Sequence, residues 1–400
     1  MNKTALTKTA YNEIITEQNF TPEEVLPFLT KRGHFMSVQL GITRELERLG
    51  YDITDKQHLL TAFEKLLNES KLIDKANARK WLIGGNLPSA KSKHNVPIKL
   101  CFIFRLKGTE ALEFLYKVCR VNGFNFRRAK DVVYFYCLEN DMSYEQATNL
   151  IDRYNNYEPQ SQYIPSDATK RTHALRSTFG NLQIMAETTF FDLLCANKRN
   201  FIGYSETAHS EFKRLHDKLK TKLKDEIDDY YKYVKHAGID KDAGGEIEVD
   251  FSDGINDGVN VFKEILYVFD KIFNSNNKKT DTPFADIVRN FPQVELLRKI
   301  LRVPSAATDI ATDTARKIFI LVFFADYDLD PPPNEKFGDF VYALNSTLDE
   351  CGYAPLYHAN PYDWLIQKCA KSLDILDPTE DDNPLELYND ILGLLAEQEL

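Results

Sequence analysis

The stretch DKQHLLTAFEKLLNESKLIDKANARKWLI, from Asp55 to Ile83, contains two helix patterns separated by a short turn. In the first, from about Lys56 to Asn68, apolar residues recur every three or four positions, which is the period of a helix with one buried face. The turn is predicted at Glu69 to Ile73, and the second helix at Asp74 to Ile83. Two helices joined so closely predict a compact α-helical unit.

Helical patterns continue along most of the chain. Thr21 precedes Pro-Glu-Glu and is predicted to be the N-cap of a helix, because proline is favoured at the first helical position and glutamate at the third. Ser143 is predicted to cap another helix. Longer helices are predicted at about 125–138, 212–236 and 308–327. We therefore predict an all-α fold.

The composition is that of a globular protein of more than one domain. The chain has 400 residues, of which 43% are hydrophobic and 28% charged. No apolar run reaches the roughly 18 residues of a membrane span, and the N-terminus lacks the apolar segment of a signal peptide. Six cysteines occur without any Cys-x-x-Cys pair, which is typical of reduced core thiols. We therefore expect a cytoplasmic protein that does not enter a membrane.

The chain is predicted to divide into two main parts. Residues 1–157 form a helical domain that contains the two-helix unit and the helix behind it, at about 56–106. Residues 158–171 form a linker, because they are polar, contain two prolines and lack periodicity. Residues 172–400 form one or more C-terminal helical domains, with a break near 237–258 where glycine and aspartate are frequent.

Charge is unevenly distributed along the chain. The net charge is −10, yet residues 1–157 hold 23 basic and 18 acidic residues. The most basic segment, Lys71 to Lys107, holds nine basic residues and one acid, Asp74. A basic segment in an acidic chain favours a polyanionic partner for this part of the protein. The alternative is that charge simply varies between domains.

The second helix of the unit is predicted to be a recognition helix. Trp81 and Leu82 would anchor it in the core, while its polar residues face outward, and the loop that follows would bring further cations near phosphates. The side chains predicted to contact nucleic acid are Lys75, Asn77, Arg79, Lys80, Lys91 and Lys93. Asparagine pairs with adenine and arginine with guanine, so these two residue types are the candidates for base contacts. A possible extension of the basic face is formed by Arg127, Arg128 and Lys130.

The end of this helix and the segment after it also carry a resemblance. Trp81, Gly85, Pro88 and Ser89, followed by the apolar stretch Ile98 to Leu106, are similar to a pattern of Cro and λ-repressor-like regulators. The resemblance implies a helix-turn-helix unit whose second helix enters the major groove of DNA, and a role in transcription regulation. The N-terminal part also resembles bacterial helical proteins of unknown function that are described as helix-turn-helix regulators.

Two functions follow from these observations. One is a nucleic-acid-binding regulator. The other is a non-catalytic protein-interaction or scaffold protein whose repressor-like unit no longer binds DNA. No catalytic residue, metal ligand or cofactor is predicted, because the motifs of metalloproteases, phosphate-binding loops and serine nucleophiles are missing from the sequence. His209 and His216 are spaced to share one helix face, and we interpret them as surface histidines.

The C-terminal segment has the opposite charge. Residues 371–400 hold nine acidic residues against Lys371, and the leucines among them predict an amphipathic helix. Three interpretations are open: a solvated helix that closes the domain, an element for homodimerisation or for a protein partner, and a mask over the basic segment.

Overall fold

The computed structural model describes residues 5–16, 20–83, 96–121, 123–158, 185–201, 205–219, 314–329, 336–374 and 384–399, with the single residues 221, 287 and 300. Within these residues all regular secondary structure is helical, which confirms the predicted all-α fold. The predicted linker, apart from Glu158, and the predicted break at 237–258 lie outside the described residues.

The helices are named here in chain order, and residues 206–219 form a further helical segment. The α-helices are α1 (Ala5–Thr16), α2 (Pro22–Thr30), α3 (Val38–Arg48), α4 (Lys56–Ser70), α5 (Ala76–Leu82), α6 (Val96–Ile103), α7 (Gly108–Lys117), α8 (Ala129–Glu139), α9 (Tyr144–Asn155), α10 (Glu187–Ala196), α11 (Thr314–Leu329), α12 (Phe337–Cys351), α13 (Pro361–Ala370) and α14 (Pro384–Glu399). Short 3-10 turns occupy Arg32–His34, Lys198–Asn200 and Lys371–Asp374.

Several helices begin where the sequence predicts, because a polar side chain satisfies the free N–H groups of the first turn. The Asp55 carboxylate accepts hydrogen bonds from the backbone N–H groups of Gln57 and His58, each at 2.8 Å. Ser143 Oγ accepts from the N–H of Gln146 at 3.1 Å, and the Gln146 side chain accepts in return from the N–H of Ser143 at 2.7 Å. These contacts fix the starts of α4 and α9.

The first core lies among α3 to α10. Aromatic rings connect its helices: Phe63 on α4 stacks on Phe104 at 6.0 Å between ring centroids, and Phe104 meets Phe114 on α7 edge to face at 5.4 Å. Helix α8 lies deepest, since every residue from Val132 to Leu138 is buried. The strong apolar pattern of this helix therefore reflects burial on all sides rather than one buried face.

The second core joins both ends of the chain. Helices α1 and α2 pack with α11 to α14 and with the segment 206–219. Trp364 on α13 is fully buried; its ring stacks on Phe28 of α2 at 4.7 Å, and its indole Nε1 donates to the carbonyl of Ala10 at 3.0 Å. The chain passes from this core to the first near Met36, whose N–H donates to the carbonyl of Ala359 at 3.0 Å.

A buried ion pair lies where the two cores meet. Arg316 on α11 and Asp363 on α13 have no exposed side-chain surface, and the guanidinium donates to both carboxylate oxygens at 2.8 and 2.7 Å. Tyr116 on α7, from the first core, donates its hydroxyl to Asp363 at 2.9 Å and accepts from Arg316 at 2.9 Å. The pair thus connects three helices from two cores.

We predict that Asp363→Ala destabilises the protein strongly, because it leaves the Arg316 guanidinium buried without its counter-charge. The expected loss is about 3–5 kcal/mol of the free energy of unfolding, measured by urea denaturation followed by circular dichroism. The matched control is Glu187→Ala, which breaks an exposed ion pair to Arg153 of 2.7 Å and is expected to cost about 0–1 kcal/mol. Equal effects of the two variants would contradict this prediction.

Candidate nucleic-acid interface

The two-helix unit is formed by α4 and α5. Helix α4 ends at Ser70, and the next residue, Lys71, adopts a left-handed backbone conformation with φ of 55°. The Asp74 carboxylate then accepts from the N–H of Ala76 at 2.9 Å, which fixes the entry to α5. Helix α5 therefore begins at Ala76, two residues later than predicted, and ends one residue earlier, at Leu82.

The left-handed residue at the end of α4 generates a prediction about stability. A side chain in this conformation costs about 1–2 kcal/mol relative to glycine. Glycine relieves this strain but also gives the unfolded chain more conformational entropy, which opposes the gain. We therefore expect Lys71→Gly to raise the free energy of unfolding by up to about 1 kcal/mol. The matched control is Gly50→Ala, at a left-handed position (φ of 84°) where an added Cβ would meet nothing within 4 Å.

Gly50→Ala is expected to lower stability by about 1 kcal/mol for the same conformational reason. Both variants are measured by urea denaturation. A loss of stability in Lys71→Gly, with the expected loss in Gly50→Ala, would show that relief of backbone strain at Lys71 does not outweigh the chain entropy that glycine adds to the unfolded state.

One side of α5 packs against α3 and α4. Ala78, Trp81 and Leu82 are buried, and the Trp81 ring lies 6.1 Å from that of Phe63 between centroids. The predicted anchoring of α5 by Trp81 and Leu82 is therefore what the structure shows. Because these residues occupy one side of the helix, the polar residues are left on the other.

Four of the six predicted nucleic-acid-binding residues lie on this unit. Lys75, Arg79 and Lys80 are exposed, and in the described part of the chain none of them forms an ion pair. Asn77 is half-buried, and its amide Nδ2 donates to the carbonyl of Asp74 at 3.1 Å. Lys91 and Lys93 lie outside the described residues, as do Gly85, Pro88 and Ser89 of the quoted pattern.

Helix α6 supports the turn from behind. The Lys99 ammonium group donates to the carbonyl of Leu72 in the turn at 3.1 Å and lies 5.4 Å above the ring of Tyr144. Tyr144 in turn stacks on Tyr134 at 5.7 Å. In the sequence, Lys99 is one of the nine basic residues between Lys71 and Lys107. Its contact with the turn cannot be predicted from the neighbouring sequence, because its partner Leu72 lies 27 residues away.

The predicted extension of the basic face holds only in part. Lys130 is exposed and lies 5.6 Å above the Tyr134 ring, and Arg128 is half-buried. Arg127 is buried, with 6% of its surface exposed, because it packs beside Gly352 of the second core. Burial lowers the pKa of the Arg127 guanidinium to about 10, so it stays charged at neutral pH but does not face solvent as a phosphate contact would.

In the described residues, no three His, Cys, Asp or Glu side chains are placed to hold a metal ion. The interpretation of His216 as a surface residue is wrong: it is 6% exposed, with Nδ1 lying 3.1 Å from Asp217 Oδ1.

All six cysteines are buried and form no disulfide, and burial raises the pKa of the Cys137 thiol to about 12.

The acidic C-terminal segment contains α14, as its pattern predicts. The helix packs on α2, α11 and α13, and its positions Leu387, Ile391, Leu392 and Leu395 are buried. Its apolar face is therefore used inside the second core and is not offered to a partner. The acidic residues between 375 and 383 lie outside the described residues.

Comparisons with known proteins identify no relative. No protein family, no curated protein and no solved structure matches this chain. Among the described residues, no helix combines the length and the apolar character that crossing a membrane requires. The similarity to Cro and λ-repressor-like regulators thus stays an expectation from the quoted residues.

Proposed function

We propose that the protein is a DNA-binding regulator that contacts duplex DNA through α5. The observation that carries the proposal is the placement of Lys75, Arg79 and Lys80 on the exposed side of a helix whose other side is buried. An α-helix with its side chains is about 10–12 Å in diameter, which suits a major groove about 12 Å wide.

Phosphate contacts would supply most of the affinity. Each phosphate neutralised by lysine or arginine releases a condensed counterion, so the logarithm of the binding constant falls by about 0.9 for each contact and each tenfold rise in salt. On DNA of random sequence, where no guanine is fixed opposite Arg79, Lys75 at the N-cap of α5 and Arg79 and Lys80 within it would all contact phosphates, which predicts a slope of about −2.7. The rest of the chain is acidic, but at about 0.1 M salt its charges are screened beyond about 10 Å.

Arg79 is the better candidate for a base contact. Guanine is recognised when arginine donates two hydrogen bonds to its major-groove edge, and the exposed Arg79 side chain is not engaged within the described part of the chain. A bidentate contact of Asn77 with adenine needs both groups of the amide, and its Nδ2 already donates to Asp74. Nδ2 has a second N–H, but the bond to Asp74 restricts the orientation in which the amide could reach adenine.

The test is binding of a fluorescein-labelled random duplex of about 20 base pairs, followed by anisotropy between about 50 and 200 mM NaCl. Because each lost phosphate contact lowers the salt slope by about 1, Arg79→Ala/Lys80→Ala is expected to weaken binding and to make the slope shallower by about 2. The matched control, Lys8→Ala/Lys213→Ala, removes two exposed lysines of the second core that have no ion pair in the described residues.

The Lys8→Ala/Lys213→Ala control is expected to bind DNA as tightly as the unmodified protein. It removes the same charge as Arg79→Ala/Lys80→Ala, but from the second core rather than from α5. Two outcomes would overturn the proposal: no binding at the lowest salt concentration, or equal weakening by both double variants. The second outcome would indicate attraction by overall charge alone.

The non-catalytic interaction protein is the second candidate, and one observation favours it. Ile83, directly after α5, is 66% exposed and lies beside the cations of the helix. A large exposed apolar residue rimmed by charge is typical of a protein-binding surface. Ile83→Ser separates the two functions, because it is expected to leave the DNA salt slope unchanged and to weaken only an apolar contact.

A further inference from the structure

A groove of about 850 Å³ separates the two cores beside the buried ion pair. It is lined by residues of α3 and α7, by residues 123–127 and by the segment 352–358. Small-molecule sites commonly lie between domains and have volumes of about 300–1,000 Å³. The groove therefore has the place and the size of a ligand site.

The segment 352–358 is fixed without a ligand. Arg316 donates to the carbonyls of Ala354 and Pro355, at 2.8 and 3.0 Å. The N–H of Leu356 donates to the Asn345 side chain at 2.8 Å, and that of the next residue, Tyr357, donates to Asp363 at 2.8 Å. Four successive residues are thus held by polar groups of the protein itself, so a ligand would not have to order this segment on binding.

Aromatic rings line the interior of the groove. Phe124 and Phe126 each meet the ring of Phe135 edge to face, at 5.6 and 5.2 Å between centroids. Such rings pack best against another flat aromatic group, in edge-to-face or offset arrangements. The groove therefore offers rings against which a flat aromatic group can pack.

Among the described residues, the charged groups of the groove leave one guanidinium without a partner. Arg48 pairs with Glu45 and Lys117 pairs with Glu113, both at 2.7 Å. Arg44, half-buried on α3, also lines the groove. The Arg44 side chain forms no hydrogen bond or ion pair with another residue in the part of the chain that the structure describes.

The remaining charges do not cancel that of Arg44. The Glu110 carboxylate accepts from the N–H of Lys107 at 2.9 Å and keeps its negative charge, since this donor is neutral. Arg127 also lines the groove and keeps its positive charge, which offsets that of Glu110. An anion entering the groove would therefore meet the unpaired guanidinium of Arg44, which can donate two parallel hydrogen bonds.

We propose that this groove binds a small aromatic carboxylate, with the carboxylate on Arg44 and the ring system on Phe124, Phe126 and Phe135. Arg127 offsets the charge of Glu110 and is not required to contact the anion. The proposal is independent of DNA binding, because it uses none of the residues of α5.

The test is isothermal titration of the full-length protein with 2-naphthoate and with its uncharged counterpart 2-naphthamide. The unmodified protein is expected to bind 2-naphthoate saturably and at least tenfold more tightly than 2-naphthamide, since hydrogen bonds to a charged group are stronger than neutral ones. Arg44→Gln is expected to weaken 2-naphthoate at least tenfold and to leave 2-naphthamide unchanged. The control Lys213→Gln removes one exposed cation of the second core and is expected to change neither.

Further variants keep the test decisive. Arg44→Lys retains the charge without the two-pronged donor and is expected to bind 2-naphthoate with intermediate affinity; it replaces Arg44→Gln if that variant fails to fold. Leu112→Trp places a larger side chain in the groove and is expected to abolish binding of both compounds. The proposal is overturned by the absence of saturable binding of 2-naphthoate at millimolar concentration, by equal affinities for the two compounds, or by Arg44 variants that bind as the unmodified protein does.

Discussion

The buried ion pair of Arg316 and Asp363 is the constraint on which the arrangement of the two cores depends. Removing both charges from water costs several kcal/mol for each ion, and the pair is tolerated only where further hydrogen bonds satisfy the remaining donors and acceptors. Here Tyr116, the carbonyls of the 354–355 segment and the N–H of Tyr357 supply those bonds. Because these partners come from both cores, the ion pair forms all of its hydrogen bonds only when the two cores meet in one orientation. Its contribution is thus to specify that orientation more than to add stability.

The path of the chain adds to this coupling. Helices α1 and α2 belong to the core that the C-terminal helices complete, while α3 to α10 form the other core. Two hydrogen bonds fix the backbone of Met36, where the chain passes from one core to the other. Its N–H donates to the carbonyl of Ala359, and its carbonyl accepts from Arg120 Nη2 at 2.8 Å. The second core therefore cannot be completed from one continuous stretch of sequence, and the groove between the cores is bounded by residues from distant parts of the chain.

Local features of this fold are predictable from the sequence and long-range ones are not. The cap residue Ser143, the start of α4 at Lys56 and the anchors Trp81 and Leu82 follow from patterns within one or two helical turns, and the structure places all of them as predicted. The partners Arg316 and Asp363 are 47 residues apart, and nothing in their neighbouring sequence distinguishes them from surface charges. The prediction that places Arg127 on the basic face is wrong for the same reason, since its burial depends on Gly352 of the other core. Lys91 and Lys93 stay predictions, because they lie outside the described residues.

The degree of burial separates the two proposed sites on physical grounds. The cations of α5 are exposed, so each attracts an anion only weakly in water, and useful affinity requires several at once along a regularly charged polymer. Such binding is strongly weakened by salt, because it depends on released counterions. Arg44 is half-buried in a groove that apolar rings also line, where the effective dielectric constant is lower and one charge interacts more strongly with a single bound anion. That interaction is also less screened by salt. The same residue type therefore suits a polyanion on one surface and a small carboxylate in the groove, and salt dependence distinguishes the two modes.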